Sequence, residues 1–341
     1  MDNLTHTLTA VAISQTGLNR KTRFATLTLI VAANAPDLDI VAGLKSSIAY
    51  LHYHRGITHS ILGIVCLAII LTGLMYLAGK SARPKPGLPL KAGWLMLAAL
   101  LGTTSHLLLD FTNQYGVRLF LPFSGRWYAW DIMFIFDPLL LSLLILGLGI
   151  PWVLRMVVEE VGGGKAGLKQ GAVFSLCAMA ALWGLRSFAH QRALGILDSR
   201  TYREQNPQRL GAFPSPGNPF AWTGVAETET SFNVLQVNLL DPESRREEPR
   251  TFLKPEASPA LEAAMNTRTG RVFMDFARFP WGNIEQSSEG FVVALRDLRF
   301  YRNLAGSRGF VAEIELDQNL QPRSESFSFN APPRPAQALD R

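Results

Sequence analysis

Four long apolar stretches, residues 61–79, 92–109, 133–154 and 172–189, constrain this chain more than any other feature of its sequence. A bilayer hydrocarbon core of roughly 30 Å needs about 20 residues of helix, so each stretch is long enough to cross one. Lipid offers no hydrogen-bond partner to a backbone, so the spans are expected to be helices. Two further segments are ambiguous. Residues 4–18 are apolar but short and rich in threonine, and 24–44 stay apolar through Asn34 and then read APDLDIVAGL. Asp2 and His6 stand where the basic region of a signal peptide belongs, so the first helix is expected to be retained.

The rest of the chain is not membrane-like. Charged residues make up 18% and hydrophobic ones 48% of the 341, too little charge for an ordinary two-domain soluble protein and too much polar sequence for an all-membrane one. A linker is expected over 193–225, within which the Pro- and Gly-rich run RTYREQNPQRLGAFPSPGNPFAW leads out of a helical membrane domain at 1–192. Past it, TETSFNVLQVNLL, GRVFMDFARF, GFVVALRDLRF and GFVAEIELD alternate with the period of two that half-buried strands show, which predicts a small antiparallel β domain over 226–330. The final stretch, 331–341, reads as a disordered tail. The fold class is therefore a polytopic helical membrane domain of five to six helices with a C-terminal β domain.

The net charge of +6 does not imply nucleic acid, because the Lys and Arg residues form no basic recognition helix or aromatic-interleaved patch. They fit membrane topology better. Lys80, Arg83, Lys85 and Lys91 share one short loop without an acid, and Arg20, Lys21 and Arg23 share another. The positive-inside rule puts both on the cytoplasmic side. Arg155, Lys165 and Lys169 add to that side, diluted by Glu159 and Glu160, against Lys45, Arg55, Arg118 and Arg126 opposite. Cys66 and Cys177 lie inside apolar runs and are expected to be buried as small hydrophobes.

That orientation gathers the chemically able side chains toward one leaflet. His106 and Asp110 in GTTSHLLLD are four apart and share a helix face, which Thr103 and Asn113 extend. A carboxylate inside a membrane helix is costly and marks function by default, although an imidazole and a carboxylate bonded to each other as interhelical glue give the same pattern. In NAPDLD, Pro36 interrupts a helix and is followed by Asp37 and Asp39, either hard oxygen ligands or a solvated turn. In HYHRGITHS, Gly56 permits a tight turn between His54–Arg55 and His59, and Thr58 or Ser60 is placed to cap the next helix. His6 alone would be a surface histidine. Asp131 and Asp137 divide evenly between structural and catalytic roles, and Trp127, Tyr128 and Trp130 read as an interfacial aromatic belt.

An N-terminal helix with His6, then PDLD, HRGITHS, GTTSHLLLDFTNQYGVRLFLPF and WDIMFIFDP, in that order over about residues 1–150, resembles the YdjM-like family of bacterial inner-membrane proteins, to which metal-dependent hydrolysis is ascribed. The resemblance implies a membrane-bound metal site with His6, Asp37, His59, His106 and Asp110 at the matching positions. Mixed imidazole and carboxylate donors suit zinc first, or manganese or iron, over magnesium or calcium. The set, with Asp39 as a further metal candidate, exceeds what one open zinc needs, so either two ions share Asp37 or some carboxylates orient the imidazoles. Arg55 is then expected to grip a phosphate or carboxylate, and His54 to donate a proton or add a ligand. The expected activity is hydrolysis of an ester or phosphoester, a lipid-linked one included, at the outer surface of the inner membrane, by a domain set among membrane lipids. A metal transport or sensing protein is the alternative, and a purely structural scaffold the third reading.

Overall fold

The computed structural model describes residues 1–82, 87–160, 167–241, 247–301 and 309–331. Arg83, Lys85 and Lys165 of the topology argument, and the expected tail beyond Ala331, lie outside them. The chain divides into two compact units, one of residues 1–39, 55–188 and 216–219, the other of 40–54, 189–215 and 220–341.

The first unit is helical. It holds α1 (Asn3–Gln15), α2 (Ala25–Asn34), α4 (Ile61–Ser81), α5 (Ala92–Phe111), α6 (Pro138–Glu160) and most of α7 (Leu168–Asp198). Among the described residues, four segments are long and apolar enough to span a membrane: Ala25–Leu44, which is α2 continued by a 3-10 stretch, then α4, α5 and α7. The apolar part of α6, Pro138–Leu154, is shorter. Ile61, Leu62, Val65, Ile69, Ile70, Leu74 and Leu77 are exposed along α4, the surface that a lipid-facing helix presents. Cys66 and Cys177 are on such exposed surfaces too, so the expectation that they pack as core residues is corrected. At one end of the bundle the two basic loops meet: Arg23 N–H donates to the Pro89 carbonyl at 3.2 Å, Lys91 N–H to Thr22 Oγ1 at 2.9 Å, and the Arg23 guanidinium to the Gly79 carbonyl.

The second unit carries two four-stranded antiparallel sheets, each in sequential order. The first is β1 (Arg209–Pro214), β2 (Ala221–Glu227), β3 (Ser231–Asn238) and β4 (Arg250–Leu253); the second is β5 (Pro280–Ser287), β6 (Gly290–Asp297), β7 (Gly309–Asp317) and β8 (Pro322–Ala331). Three helices belong with them: α3 (Ser47–Tyr53), α8 (Pro259–Asn266) and α9 (Arg268–Phe276). One core packs Ala193, Leu197 and Tyr202 on Trp222, Leu235 and Val237; another gathers Phe213, Phe232, Phe279 and Leu298.

Two expectations are corrected here. The stretch expected as linker, 193–225, holds the end of α7, all of β1 and most of β2. Its prolines are compatible with pairing because Pro214 closes β1, an edge strand, where a missing N–H costs nothing. GRVFMDFARF is mostly helical rather than extended, since Thr269, Phe273 and Phe276 recur at helical spacing on one buried face and Thr267 caps the start, accepting from Gly270 N–H at 3.0 Å.

Candidate metal centre

Three local devices in the first unit bring distant donors to one point. The first is the end of α2. Pro36 has no N–H to continue the helix, and the chain winds on as a 3-10 stretch, Ala35–Leu44, that carries Asp37 and Asp39. Asn34 uses its side-chain amide on the Ile30 carbonyl at 2.8 Å and on Thr7 Oγ1 at 3.1 Å, tying this end of α2 to α1. The second is Gly102 on α5. A Cβ there would lie 2.7 Å from Ala32 Cβ and 2.8 Å from the Leu29 carbonyl, so only glycine lets α5 lie this close to α2. One turn later His106 meets the Ala33 carbonyl, and one turn after that comes Asp110.

The third device is the HRGITHS turn. Arg55, not Gly56, takes the left-handed backbone (φ +57°). Residues Ile57–His59 form one 3-10 turn, and Ser60 caps α4 by accepting from Gly63 N–H at 2.9 Å. A side chain at Gly63 would overlap the Ile57 carbonyl, so this glycine allows the turn to fold back on α4. His59 is thereby held at the start of α4, level with the end of α5.

Four donor atoms converge as a result. His59 Nε2 and His106 Nε2 are 3.0 Å apart; His59 Nε2 is 3.4 Å from Asp37 Oδ1 and 3.3 Å from Asp110 Oδ2; His106 Nε2 is 3.5 Å and 3.6 Å from the same two oxygens. Bonds of about 2.0–2.1 Å from zinc to nitrogen or oxygen imply tetrahedral edges of about 3.3 Å. The observed separations bracket that value, and donor chemistry and spacing both fit a divalent transition-metal ion. His59, His106 and Asp110 are fully buried, while Asp37 is 14% exposed and marks the side from which the centre is reached.

The surrounding groups fix these donors. His106 Nδ1 lies 2.7 Å from the Ala33 carbonyl, which takes its N–H and leaves the Nε2 lone pair for the centre. Asp39 Oδ2 stands 3.3 Å from His59 Nδ1 on the far side of the ring, held by Thr58 Oγ1–H at 2.8 Å and Arg55 N–H at 2.9 Å. The Arg55 guanidinium is buried over the Tyr115 ring and donates to Asp110 Oδ1 (3.1 Å), Asn113 Oδ1 (2.8 Å) and the Gly116 carbonyl (3.3 Å). The amine of Met1 also contacts Asp110 Oδ1. His6 stacks on His106 at 4.0 Å, with Nε2 3.5 Å from Asp110 Oδ1, and neither of its nitrogens has a hydrogen-bond partner among the described residues. His6 is fully buried beside the four-donor group and is not one of its members.

His59 lies in the turn before α4, and its proton affinity reflects its neighbours. Burial pulls the imidazole pKa down, but hydrogen bonding to Asp110, Asp37 and Asp39 outweighs this and raises it from 6.5 to about 10.

The other candidates are not among the four converging donors. Asp137 caps α6, its Oδ1 accepting from Leu139 N–H (3.1 Å) and Leu140 N–H (3.0 Å), and its Oδ2 pairs with Arg186 Nη2 at 2.6 Å. Asp131 sits half-buried at a left-handed turn (φ +60°), outside the four-donor group. His54, at the end of α3 in the second unit, is buried with its ring stacked on Tyr50 at 4.4 Å. Sequence reasoning passed over Arg186, although a lone arginine in the apolar middle of a span was signal enough.

Comparison with known proteins agrees with this architecture. The family described as YfhP C-terminal alpha/beta plait domain matches residues 259–331. The uncharacterized protein YfhP of Bacillus subtilis (strain 168) is 33% identical over 132 residues, 39% of this chain and 37% of that protein, so the aligned stretch covers well under half of the relative. No solved structure matches the chain. The family described as YdjM inner membrane protein matches residues 1–193, which include every donor of the centre, three of the candidate spans whole and most of the fourth, α7. With more than half of its length matched, this chain belongs to the YdjM inner membrane protein family.

Proposed function

We propose that the chain is a metal-dependent hydrolase of the inner membrane, acting on an ester or phosphoester carried by an amphiphilic molecule. The observation that carries this reading is the four-donor convergence of Asp37, His59, His106 and Asp110 at one end of the α4–α5 pair, with the unpartnered His6 beside it. Zinc is the first choice, manganese or iron the others, because imidazole and carboxylate are mixed. A divalent ion in such a set supplies Lewis acidity to a carbonyl or phosphoryl oxygen and makes water acidic near neutral pH.

The chain's own residues do the rest. Ala33 O and Asp39 hold His106 and His59 in the tautomer that presents Nε2. Arg55 positions Asp110 and balances its charge; with its guanidinium donors on Asp110, Asn113 and Gly116, it acts through that carboxylate rather than on a substrate anion. His6 adds a fifth nitrogen. The partly exposed Asp37 faces the entry, at the level where α4 begins and α5 ends, which suits a polar group at the membrane surface with an apolar tail in lipid. The meeting of the two basic loops at the other end of α4 supports a cytoplasmic position for that end, an outer-leaflet position for the centre and an extracytoplasmic β domain.

The test is hydrolysis by the purified, metal-loaded protein of amphiphilic phosphodiesters, phosphomonoesters and carboxylic esters. Turnover of one class that falls more than about 100-fold in Asp110→Asn is expected. Metal-loaded protein that cleaves none of them contradicts the reading. A carrier or sensor is the second reading, favoured by the buried Thr9 and Thr28 hydroxyls, which have no hydrogen-bond partner among the described residues of α1 and α2. Asp110-dependent metal flux into proteoliposomes without ester cleavage would establish it.

A further inference from the structure

Within the second unit, α3 and α9 enclose a cavity of about 240 Å³ that nothing in the hydrolase reading uses. It is lined by Ile48, His52 and Tyr53 from α3 and by Arg268, Arg271 and Val272 from α9. Arg268 and Arg271 are three apart on a helix, so their guanidinium groups share one face. Both are exposed, and neither guanidinium makes a hydrogen bond, ion pair or ring contact with any described residue. Other arginines of this unit are engaged: Arg209 pairs with Glu227, Arg299 with Asp297, and Arg250 lies over Phe252 and Tyr301. Two like charges that face a shared hollow and form no ion pair with a described residue repel each other, and an anion between them removes that repulsion.

The helix terminus itself is not the attraction. Its first amides are already taken, Gly270 N–H by Thr267 Oγ1 at 3.0 Å and Thr269 N–H by Glu325 Oε2 at 2.7 Å. What the cavity offers is two planar five-donor forks, a phenol and an imidazole around a small apolar floor of Ile48 and Val272. Forks of this kind match the oxygens of phosphate in bidentate fashion, and two of them balance a dianion better than a single carboxylate. Size narrows the ligand further. Small-molecule pockets begin near roughly 300 Å³, so this cavity takes a phosphate group with at most a small substituent and excludes an acyl chain.

We infer that the α3–α9 cavity is a phosphate-binding site, with Arg268 and Arg271 gripping the oxygens and His52 and Tyr53 completing the shell. The phosphate arrives either free or as the headgroup of an anionic phospholipid.

The experiment uses the full chain in detergent, stripped with chelator so that no cation at the metal centre contributes, and titrates inorganic phosphate by calorimetry. Saturable binding is expected in the wild type, weakened at least tenfold in Arg271→Gln and in Arg268→Gln, and partly kept in Arg271→Lys. Displacement of phosphate by short-chain phosphatidylglycerol, but not by phosphatidylcholine of equal chain length, assigns the site to the headgroup. Displacement by neither assigns it to the free anion. Equal affinity in the wild type and an Arg268→Gln/Arg271→Gln double variant with an unchanged melting temperature overturns the inference, as does a wild type that binds neither probe at millimolar concentration.

Discussion

The first unit buries carboxylates in two places, and they are solved in opposite ways. Asp137 has one oxygen on two backbone N–H groups at the start of α6 and the other on Arg186, so its charge is matched within the protein. Asp110 is held by Arg55 on one oxygen, and its Oδ2 lies 3.3 Å and 3.6 Å from two imidazole nitrogens that have already been oriented from behind. Beside it, His6 Nε2 lies 3.5 Å from Asp110 Oδ1. A buried pair that closes on itself is structure. A buried cluster whose donors converge on one point is one that could hold a metal ion.

The largest effects break this contrast outright. His106→Ala removes one of four converging donors, and metal affinity should fall more than about 100-fold, beyond the range for losing an orienting partner; isothermal titration with Zn²⁺ measures it. Arg186→Leu should do the reverse. It leaves the metal stoichiometry intact but strands Asp137, destabilising the protein by about 3 to 5 kcal/mol in thermal unfolding, with most of that recovered in Asp137→Asn/Arg186→Leu. Metal loss in the Arg186 variant would erase the distinction between the two sites.

Smaller effects sharpen it. Asp39→Asn keeps all four donors but weakens the hold on His59 Nδ1, and should lower metal affinity by about 10- to 100-fold without abolishing binding. Gly102→Ala pushes α5 away from Ala32 and Leu29 and should cost about 1 to 3 kcal/mol of stability, with a matching drop in metal affinity as His106 leaves Ala33.

The smallest effect is a proton. In metal-free protein the raised pKa of His59 contributes stability that is complete below pH 6.5 and is lost as pH rises through about 10, so chelator-treated protein should melt progressively lower across that window. Metal binding must displace the same proton, and loading at pH 8 should release about one proton per ion. Loading without proton release, read with an indicator dye in weak buffer, would show that His59 is not a ligand.

How much of this was legible depends on the range over which each signal acts. The i,i+4 spacing of His106 and Asp110 and the length of the apolar runs are local, and α4, α5 and α7 follow them. The cap at Ser60 was local as well. Which of Asp37 and Asp39 faces the four-donor point was not, because it depends on the 3-10 winding after Pro36 and on where α4 starts. Arg55 looked like an anion hook; only the arrival of Asp110, Asn113 and Gly116 from far along the chain shows its donors engaged. In the second unit, alternation identified β3, β6 and β7, but the short apolar run around Phe273 fits either period. Its cap at Thr267 and the buried face through Phe276 decide for helix.

Metal content of the detergent-purified protein, measured beside His59→Ala and His106→Ala, tests the central claim most directly. The account predicts at least one tightly held divalent transition-metal ion per wild-type chain and none in either variant. Wild-type protein that carries no such ion after growth and purification in zinc-supplemented medium, or variants that carry as much as the wild type, would contradict it.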